Sequence, residues 1–481
     1  MSREEAVRQQ RIAIRQNLIS KKIAPYPQDG HRKHSIAEAI EHKLDDPTQV
    51  AGRITAMRGH GKIKFFDVVD ESGKLQIVAQ KNFVENFSAL LELDVSDFIR
   101  VTGKRYLTNS GEPSIMAEKI ELLSKSLRQI PSSWNGLSDE EARYRKRSVD
   151  LAVNEQVRNV LINRSKIIDS VRKTLQNYGF LEVETPVLQP MYGGANARPF
   201  TTHINAWDMP LYLRISPELY LKRLIMGGME KVFEITHNFR NEGVDRTHNP
   251  EFTMMECYSA YWDYFDMMNL TEEIYRQAVL AIHGKTSLEY QGVVLDFGKP
   301  WKRLTMKQGI NDLLGVDVDT MNDREIRQAI KDNGLEYNGK WIRGLGIAKL
   351  FELVEPNLIQ PTFVIDLPRE TTSLCKQHRH DPSLIERFEP YICGVEIGNA
   401  YTELNDPVLQ RQFWEEERAE EDDAHPLDED FIEAMEYGMP PTGGLGLGID
   451  RMVMFLTNQV KLRDVIAFPT MKPLKKIRTY C

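Results

Sequence analysis

Between Gly444 and Ile449 the chain reads Gly-Leu-Gly-Leu-Gly-Ile. Successive side chains of a strand point to opposite faces. A strand here is therefore bare on one face, while Leu445, Leu447 and Ile449 line the other. Interior glycine weakens a strand, and a usual reason for it is the close approach of a ligand or another backbone. Flat nucleotide bases need such a face. The G-x-G-x-x-G spacing is absent, and the run passes into Asp450-Arg451 at the start of a predicted helix, which argues against a Rossmann site. The same spacing places Arg451 to meet phosphate.

A second stretch, NFRNEGVDRTHNPEFTMMECY over 238–258, packs charges between apolar runs. Its second half alternates, so that Phe252, Met254, Glu256 and Tyr258 share one face and Thr253, Met255 and Cys257 the other. A carboxylate and a phenol on a closed core face would be costly. They fit the floor of a pocket for something cationic, with Met255 and Cys257 packed behind. A third group gathers Glu389, Glu396, Asn399 and Glu403 in one segment. Counting by twos, Asn399, Tyr401 and Glu403 share a face with Glu389, and Glu396 points away. For Glu389 and Glu396 to hold one Mg²⁺ the strand must slip phase between them, and a bulge at Gly394 is the expected place.

At 481 residues the chain exceeds one core, so two or three domains are expected. Its 41% apolar and 27% charged residues fit a globular protein rather than a disordered one. No apolar run approaches the roughly 18 residues of a membrane span. The opening MSREEAVRQQR has no apolar core of a signal peptide. Cys257, Cys375, Cys393 and Cys481 form no C-x-x-C pair, which argues against disulfides and zinc and for reducing cytosol. The formal charge of −8 does not advertise nucleic acid, but charge is uneven: residues 1–34 carry eight Lys/Arg, with Arg8, Arg11 and Arg15 at helical spacing. They read either as a solvated helix or as a basic arm. The stretch 415–430 holds ten carboxylates and only Arg418 against them, a solvated helix and loop.

Five short strands between turn signals over 49–124 match the plan of an OB-fold barrel. The expected organisation is a basic helical extension over 1–48, the barrel over 49–124, a linker over 125–147 and a mixed α+β domain over 148–481.

FRNEG followed by HNPEFTMME resembles motif 2 of the class II aminoacyl-tRNA synthetases, GLGLGIDR resembles motif 3, and GFLEVETPVLQP resembles motif 1. With RPFTTH, PELYLKRL, NAYTELND and the leading barrel, the chain from about residue 50 onward is similar to the lysyl-tRNA synthetases of class IIb. The resemblance implies an N-terminal OB-fold β-barrel that binds the anticodon, then a catalytic domain built on an antiparallel sheet flanked by helices. Its motifs fall at about 171–190, 231–260 and 443–456, the first at a homodimer interface. The implied reaction joins L-lysine and ATP into lysyl-adenylate, with Mg²⁺ (up to three ions), and then charges tRNA(Lys) in the cytoplasm. By the same resemblance Arg240 binds the ATP α-phosphate and the amino-acid carboxylate, and Arg240 and Arg451 carry catalysis. Glu242 and Asn249 face the adenine, Phe252 stacks on it, and His248, Gly448 and Arg451 attend the nucleotide. Glu389 and Glu396 bind the metal, Glu396 also serving the nucleotide. Glu218 and the Gly194 region meet the α-ammonium, Glu403 and Tyr258 the side-chain ammonium, and Glu256 and Asn399 line the same pocket. Phe65, Gln76 and Glu112 match the anticodon readers. Phe65 and Phe66 point to opposite faces, so one of the two is outside the barrel. His237, Cys257, Cys393 and Ser148-Val149 depart from the common Arg, Leu, Gly and Tyr-Leu without removing an implied ligand.

An aspartate- or asparagine-specific synthetase would need cations in its side-chain pocket, against Glu403 and Tyr258. A ligase that attaches lysine to a protein would lack the barrel. A non-catalytic RNA-binding relative would be free to lose Arg240, Arg451 or the Glu389/Glu396 pair.

Overall fold

The computed structural model describes residues 2–59, 61–85, 87–131, 137, 139–420 and 427–474. Cys481, residues 421–426 of the acidic stretch and part of the 125–147 linker lie outside them. The chain divides into two compact units, Met1–Glu155 and Gln156–Cys481.

The first unit opens with the helix Arg3–Ser20, capped by the Ser2 side chain, which accepts from the Glu5 N–H. Arg11 does not present its charge to solvent. Its guanidinium donates to the Ser126 carbonyl at 3.2 Å and the Val95 carbonyl at 3.0 Å. With Leu18 it forms the buried stripe of this helix. Strands β1 (Pro47–Arg58), β2 (Ile63–Val69), β3 (Lys74–Gln80), β4 (Phe98–Leu107) and β5 (Pro113–Ser124) follow. β1 pairs β2 on one edge and β4 on the other, so the order β1–β2–β3–β5–β4 closes on itself. The seam between β3 and β5 is parallel and short, from Gln76↔Ser114 to Val78↔Met116. Phe66 is fully buried among Val50, Ile54, Ile77 and Ile99, and Phe65 is on the outside.

The second unit is built on a nine-stranded sheet. From one edge its strands are Lys302–Thr305, Thr362–Pro368, Leu384–Ile392, Gly398–Thr402, Thr442–Gly448, Glu251–Ala260, Lys231–Phe239 and Leu181–Glu182, with Val395–Glu396 beside Leu384–Ile392. The fold-class expectation of an antiparallel sheet is corrected here: both edge pairings are parallel, Leu181–Glu182 with Lys231–Phe239 and Lys302–Thr305 with Thr362–Pro368, and the sheet is mixed. An edge strand that arrives through a helical connection enters in the direction of its neighbour, and hairpins build the antiparallel centre. The motif 1 strand is also shorter than its sequence promises, because Pro186 follows so closely on Leu181–Glu182.

One face of the sheet packs on the helices Glu155–Asn177, Tyr264–His283 and Ile449–Leu456. Tyr264–His283 shows why such a segment is helical. Asp263 and Asp266 close a capping box, Gly284 ends it in the left-handed region, and Met267, Thr271, Ile274, Tyr275 and Ala278 bury one stripe. Met255, Cys257, Leu445 and Leu447 are fully or almost fully buried against this layer, as the alternation requires. Each such apolar side chain contributes roughly 1.5–3 kcal/mol. The other face of the same strands is left for the polar residues described next. Among the described residues no helix is long and apolar enough to cross a membrane, and Cys257, Cys375 and Cys393 are free thiols.

Candidate active site

The glycine strand forms the floor. Tyr258 pairs with Gly444 and Glu256 with Gly446 on one side, and on the other Tyr401 pairs with Gly444 and Asn399 with Gly446. Two rows of large side chains therefore stand on either side of a strand that has none. A methyl group at Gly444 would collide with Glu403 Oε1 and come within 2.7 Å of Tyr258 Cε1. Glycine is needed there for room, not for backbone freedom.

Above this floor lies a cavity of about 590 Å³. Gly194, Glu218, Arg240, Glu242, His248, Asn249, Phe252, Glu256, Tyr258, Glu396, Asn399, Glu403, Gly448 and Arg451 all line it. Glu389 does not. It lines a neighbouring cavity with Glu355 and Tyr391.

At one end the cavity is anionic. Glu218, Glu256 and Glu403 are buried together. Ser216 donates to both Glu256 oxygens at 3.0 and 3.2 Å, and the Tyr258 hydroxyl donates to Glu256 Oε2 at 3.2 Å. Burial, then the charge of Glu218, push the Glu256 carboxyl up to about 7. Burial also raises Glu403 well above the ordinary carboxylate range, although Lys222 beside it works the other way. Tyr401 donates to the two Glu218 oxygens at 3.0 Å each. Gly194, at φ +85°, lies against this wall, where an added methyl would sit 2.9 Å from Glu218 Cβ.

At the other end the cavity is cationic. Arg240 packs its guanidinium 5.1 Å from the centre of the Phe252 ring, and its Nε is a buried donor with no protein partner. The Arg451 guanidinium binds the Glu396 carbonyl and lies 3.8 Å from its carboxylate. The helix Ile449–Leu456 that carries it is tied down by Asp450, which accepts from the Thr253 N–H at 2.9 Å and pairs with Arg164 at 2.5 Å. Asn249 Nδ2 donates to the Glu251 carbonyl at 2.6 Å, leaving its buried Oδ1 unpartnered. Glu242 is exposed and accepts from the Arg198 N–H at 3.4 Å. His248 stands on an exposed turn and pairs with Asp245 at 2.9 Å. The Thr247 N–H and His248 outweigh burial and hold the Asp245 carboxyl down at about 2.

The segment with Glu389 and Glu396 differs from the expected bulged strand. Tyr391 pairs with Glu396 and Ile392 with Val395, so Cys393-Gly394 is the two-residue turn of a hairpin. Both turn residues are left-handed, at φ +50° and +75°, as the tight turns of twisted hairpins require. The phase slip does occur, but on the return strand. Tyr391 pairs Glu396 while Phe388 pairs Ala400, so one additional residue lies between Glu396 and Ala400. Gly398 takes that position, where an added methyl would be 2.5 Å from the Gly446 carbonyl. Turn and slip together bring Arg387, Glu389, Tyr391, Glu396 and Asn399 to one face.

There Arg387 donates to Asn399 Oδ1 at 2.8 Å and to Glu389 Oε1 at 2.7 Å. Water reaches 42% of the Glu396 side chain, yet protein surrounds the recess onto which it opens. Burial first, and the charge of Glu389 second, raise its carboxyl above the ordinary range. A divalent cation would relieve that repulsion, so two oxygen-donor carboxylates on one face fit Mg²⁺. Among the described residues no three ligating side chains cluster.

The sequence reading passed over Lys222, Ser216 and Arg387 as site residues. Lys222 stands four residues after Glu218 in PELYLKRL, a spacing that reads as a surface pair, whereas Arg387 could have been found from its place two residues before Glu389 on a strand. Ser216 had no such signal. Of the three barrel residues, Phe65 lies outside with the Arg58 guanidinium 5.9 Å from its ring centre, and Glu112 is exposed. Gln76 is buried: Arg58 donates to its Oε1 at 2.5 Å, and its Nε2 donates to Ser114 Oγ at 2.9 Å.

Residues 139–472 match the family model of class II tRNA synthetases (D, K and N), and residues 48–123 match that of the OB-fold nucleic acid binding domain. The lysine–tRNA ligase of Pelotomaculum thermopropionicum is 48% identical over 482 residues, covering 97% of this chain and 94% of that protein. Those of a Roseiflexus species and of Carboxydothermus hydrogenoformans are each 48% identical, covering 97% and 94% of this chain and 99% and 95% of their own. A cavity with carboxylates at one end, arginines at the other and a floor of glycine agrees with these likenesses, and the chain belongs to the class II tRNA synthetases and, within them, to the lysine–tRNA ligase family.

Proposed function

We propose that this chain activates L-lysine with ATP to lysyl-adenylate and pyrophosphate, then transfers lysine to the 3′ end of tRNA(Lys). The observation that carries the choice of amino acid is the buried trio Glu218, Glu256 and Glu403. Lysine brings two ammonium groups, and charge-assisted hydrogen bonds to carboxylates are the strong kind. An aspartate or asparagine side chain would meet an anionic wall. Glu218 and the Gly194 turn take the α-ammonium, Glu403 and Tyr258 the side-chain ammonium, and Glu256 and Asn399 complete the pocket.

The lysine carboxylate is already an anion at pH 7, so no protein base is needed for its attack on the α-phosphate. Positioning and charge neutralisation supply the catalysis. Arg240 serves both the carboxylate and the α-phosphate, and its unpartnered Nε supports that role. Phe252 stacks on the adenine, which Glu242 and the free Oδ1 of Asn249 face, and His248 and Arg451 attend the outer phosphates. Glu389 and Glu396 would hold Mg²⁺, up to three ions with ATP bound, and the metal supplies further neutralisation of the phosphates. The anticodon is read by Phe65, Gln76 and Glu112, with Gln76 released from Arg58 and Ser114 as it engages a base. The protein works in the cytoplasm as a homodimer joined through motif 1.

Amino-acid-dependent ATP–pyrophosphate exchange over the standard amino acids, followed by charging of tRNA(Lys), tests this reading. Lysine alone should support exchange. Exchange driven by aspartate or asparagine instead would overturn it.

A further inference from the structure

Lys222 lies buried behind the wall of the proposed lysine pocket, paired with Glu218 and Glu403 of that wall, and belongs to none of the roles given so far. It sits on the helix Glu218–Met226, one turn after Glu218, and its side chain is 1% exposed. Its Nζ donates to Glu218 Oε1 at 2.6 Å and pairs with Glu403 Oε2, and it lies 5.6 Å from the centre of the Tyr401 ring. An i, i+4 pair of this kind is ordinary on a helix surface. Here it is buried, and the second carboxylate comes from another part of the fold. Burial alone would lower the Lys222 pKa, but Glu218 and Glu403 more than offset it, so the ammonium is permanent.

The charges around it are few. Glu218 and Lys222 come from the helix, Glu256 and Tyr258 from one strand, and Tyr401 and Glu403 from another segment, with Arg240 and Arg387 beyond. With all three carboxylates ionised, as a bound cation favours, they give −3, and Lys222 brings the wall to −2. A substrate with two ammonium groups needs −2. Glu403 keeps one oxygen, Oε1, buried and unpartnered while Oε2 meets Lys222, so an acceptor is left for a second cation.

We propose that Lys222 is a specificity-determining residue: its ammonium cancels one of the three buried carboxylates and sets the pocket's charge to match a doubly cationic amino acid. The inference rests on the reading that lysine is the substrate. A buried charge left uncompensated is far more damaging than a missing surface pair. Without Lys222, a carboxylate would have to keep its proton even with lysine bound, and the pocket would lose both affinity for lysine and its bias against neutral side chains such as norleucine.

The test is pyrophosphate exchange at pH 8, where Glu256 is mainly ionised, with lysine and norleucine as probes. Lys222→Met should raise the KM for lysine roughly tenfold or more, which is about 1.4 kcal/mol, leave the KM for ATP within about twofold of the parent value, and narrow the lysine-to-norleucine ratio. A purely structural lysine would not produce the next result. Adding Glu256→Gln to Lys222→Met restores the count to −2 and should lower the lysine KM again, whereas Glu256→Gln alone should raise it. An unchanged lysine KM in Lys222→Met, or a double variant no better than the single, overturns the proposal. If Lys222→Met does not fold, Lys222→Gln is read in its place. Should only the double variant fold, the charge count is supported; should it fail as well, Lys222 is a packing residue and the proposal falls. If the parent protein activates another amino acid instead of lysine, the substrate reading fails before any variant is read.

Discussion

Burial, and then the charge of Glu218, push the Glu256 carboxyl up to about 7, against an ordinary value of 4.5. A carboxyl raised on folding contributes stability that is complete below about 4.5 and is lost as pH rises through about 7. Removing its charge should therefore help the folded protein more at alkaline pH. We expect Glu256→Gln to raise Tm relative to the parent more at pH 8 than at pH 5. The same proton must leave when a cation arrives. Below pH 7, lysine affinity should fall by up to about tenfold per unit, and calorimetry at pH 6 in two buffers of different ionisation enthalpy should register proton release. No release at pH 6 would mean that Glu256 is already ionised or stays neutral in the complex. Gln at this position should abolish the effect.

The hairpin around Cys393-Gly394 decides where Glu396 stands. At Gly394 φ is +75°, and an added methyl would lie 3.0 Å from Pro356 Cα and 3.1 Å from the Glu355 carbonyl. Gly394→Ala thus meets backbone on two sides and a left-handed conformation, at a cost of about 1–3 kcal/mol. We expect a lower Tm by differential scanning calorimetry and slower pyrophosphate exchange, with the larger fractional loss at low Mg²⁺. Normal exchange at limiting Mg²⁺ would show that the hairpin does not govern the metal carboxylates. This hairpin also marks where sequence reading reached its limit. Alternation placed Phe252, Glu256 and Tyr258 on one face and buried Met255 and Cys257, because those positions lie in long strands where a period of two is unbroken. It misjudged 384–402, because a two-residue turn and a one-residue slip each reverse the count and together leave no net trace. The parallel edge strands were also hidden, since strand direction depends on connections that alternation does not encode. Lys222 was passed over for a third reason: on a helix, Glu followed four residues later by Lys reads as a surface pair, and only the fold brings Glu403 to the same ammonium.

On the proposed reading, the whole molecule divides its work between two compact units. Every residue proposed for lysine, ATP and Mg²⁺ falls between Gly194 and Arg451, and those proposed for the anticodon lie in the barrel. Phe66 fills the barrel core, and Phe65 lies outside it with the Arg58 guanidinium near its ring, as the proposed stacking on a base requires. Phe65→Ala should remove roughly 1–3 kcal/mol of stacking, cutting kcat/KM for tRNA by about tenfold to a hundredfold, while exchange without tRNA stays near the parent rate. An equal fall in both reactions would make Phe65 a packing residue. The glycine floor has its own consequence for how tightly a small substrate is held. Binding is opposed by the freezing of side-chain rotamers, about 0.5–1.5 kcal/mol for each long side chain immobilised. The strand Thr442–Gly448 is hydrogen-bonded to a neighbour on each edge, and its Gly444, Gly446 and Gly448 carry no rotamer on the pocket face. The base of the pocket is therefore fully ordered before any ligand arrives, and the entropy lost on binding falls only on the tyrosines, arginines and carboxylates of the walls. Many of these are already held by one another, so most of the gross attraction for lysine remains as affinity.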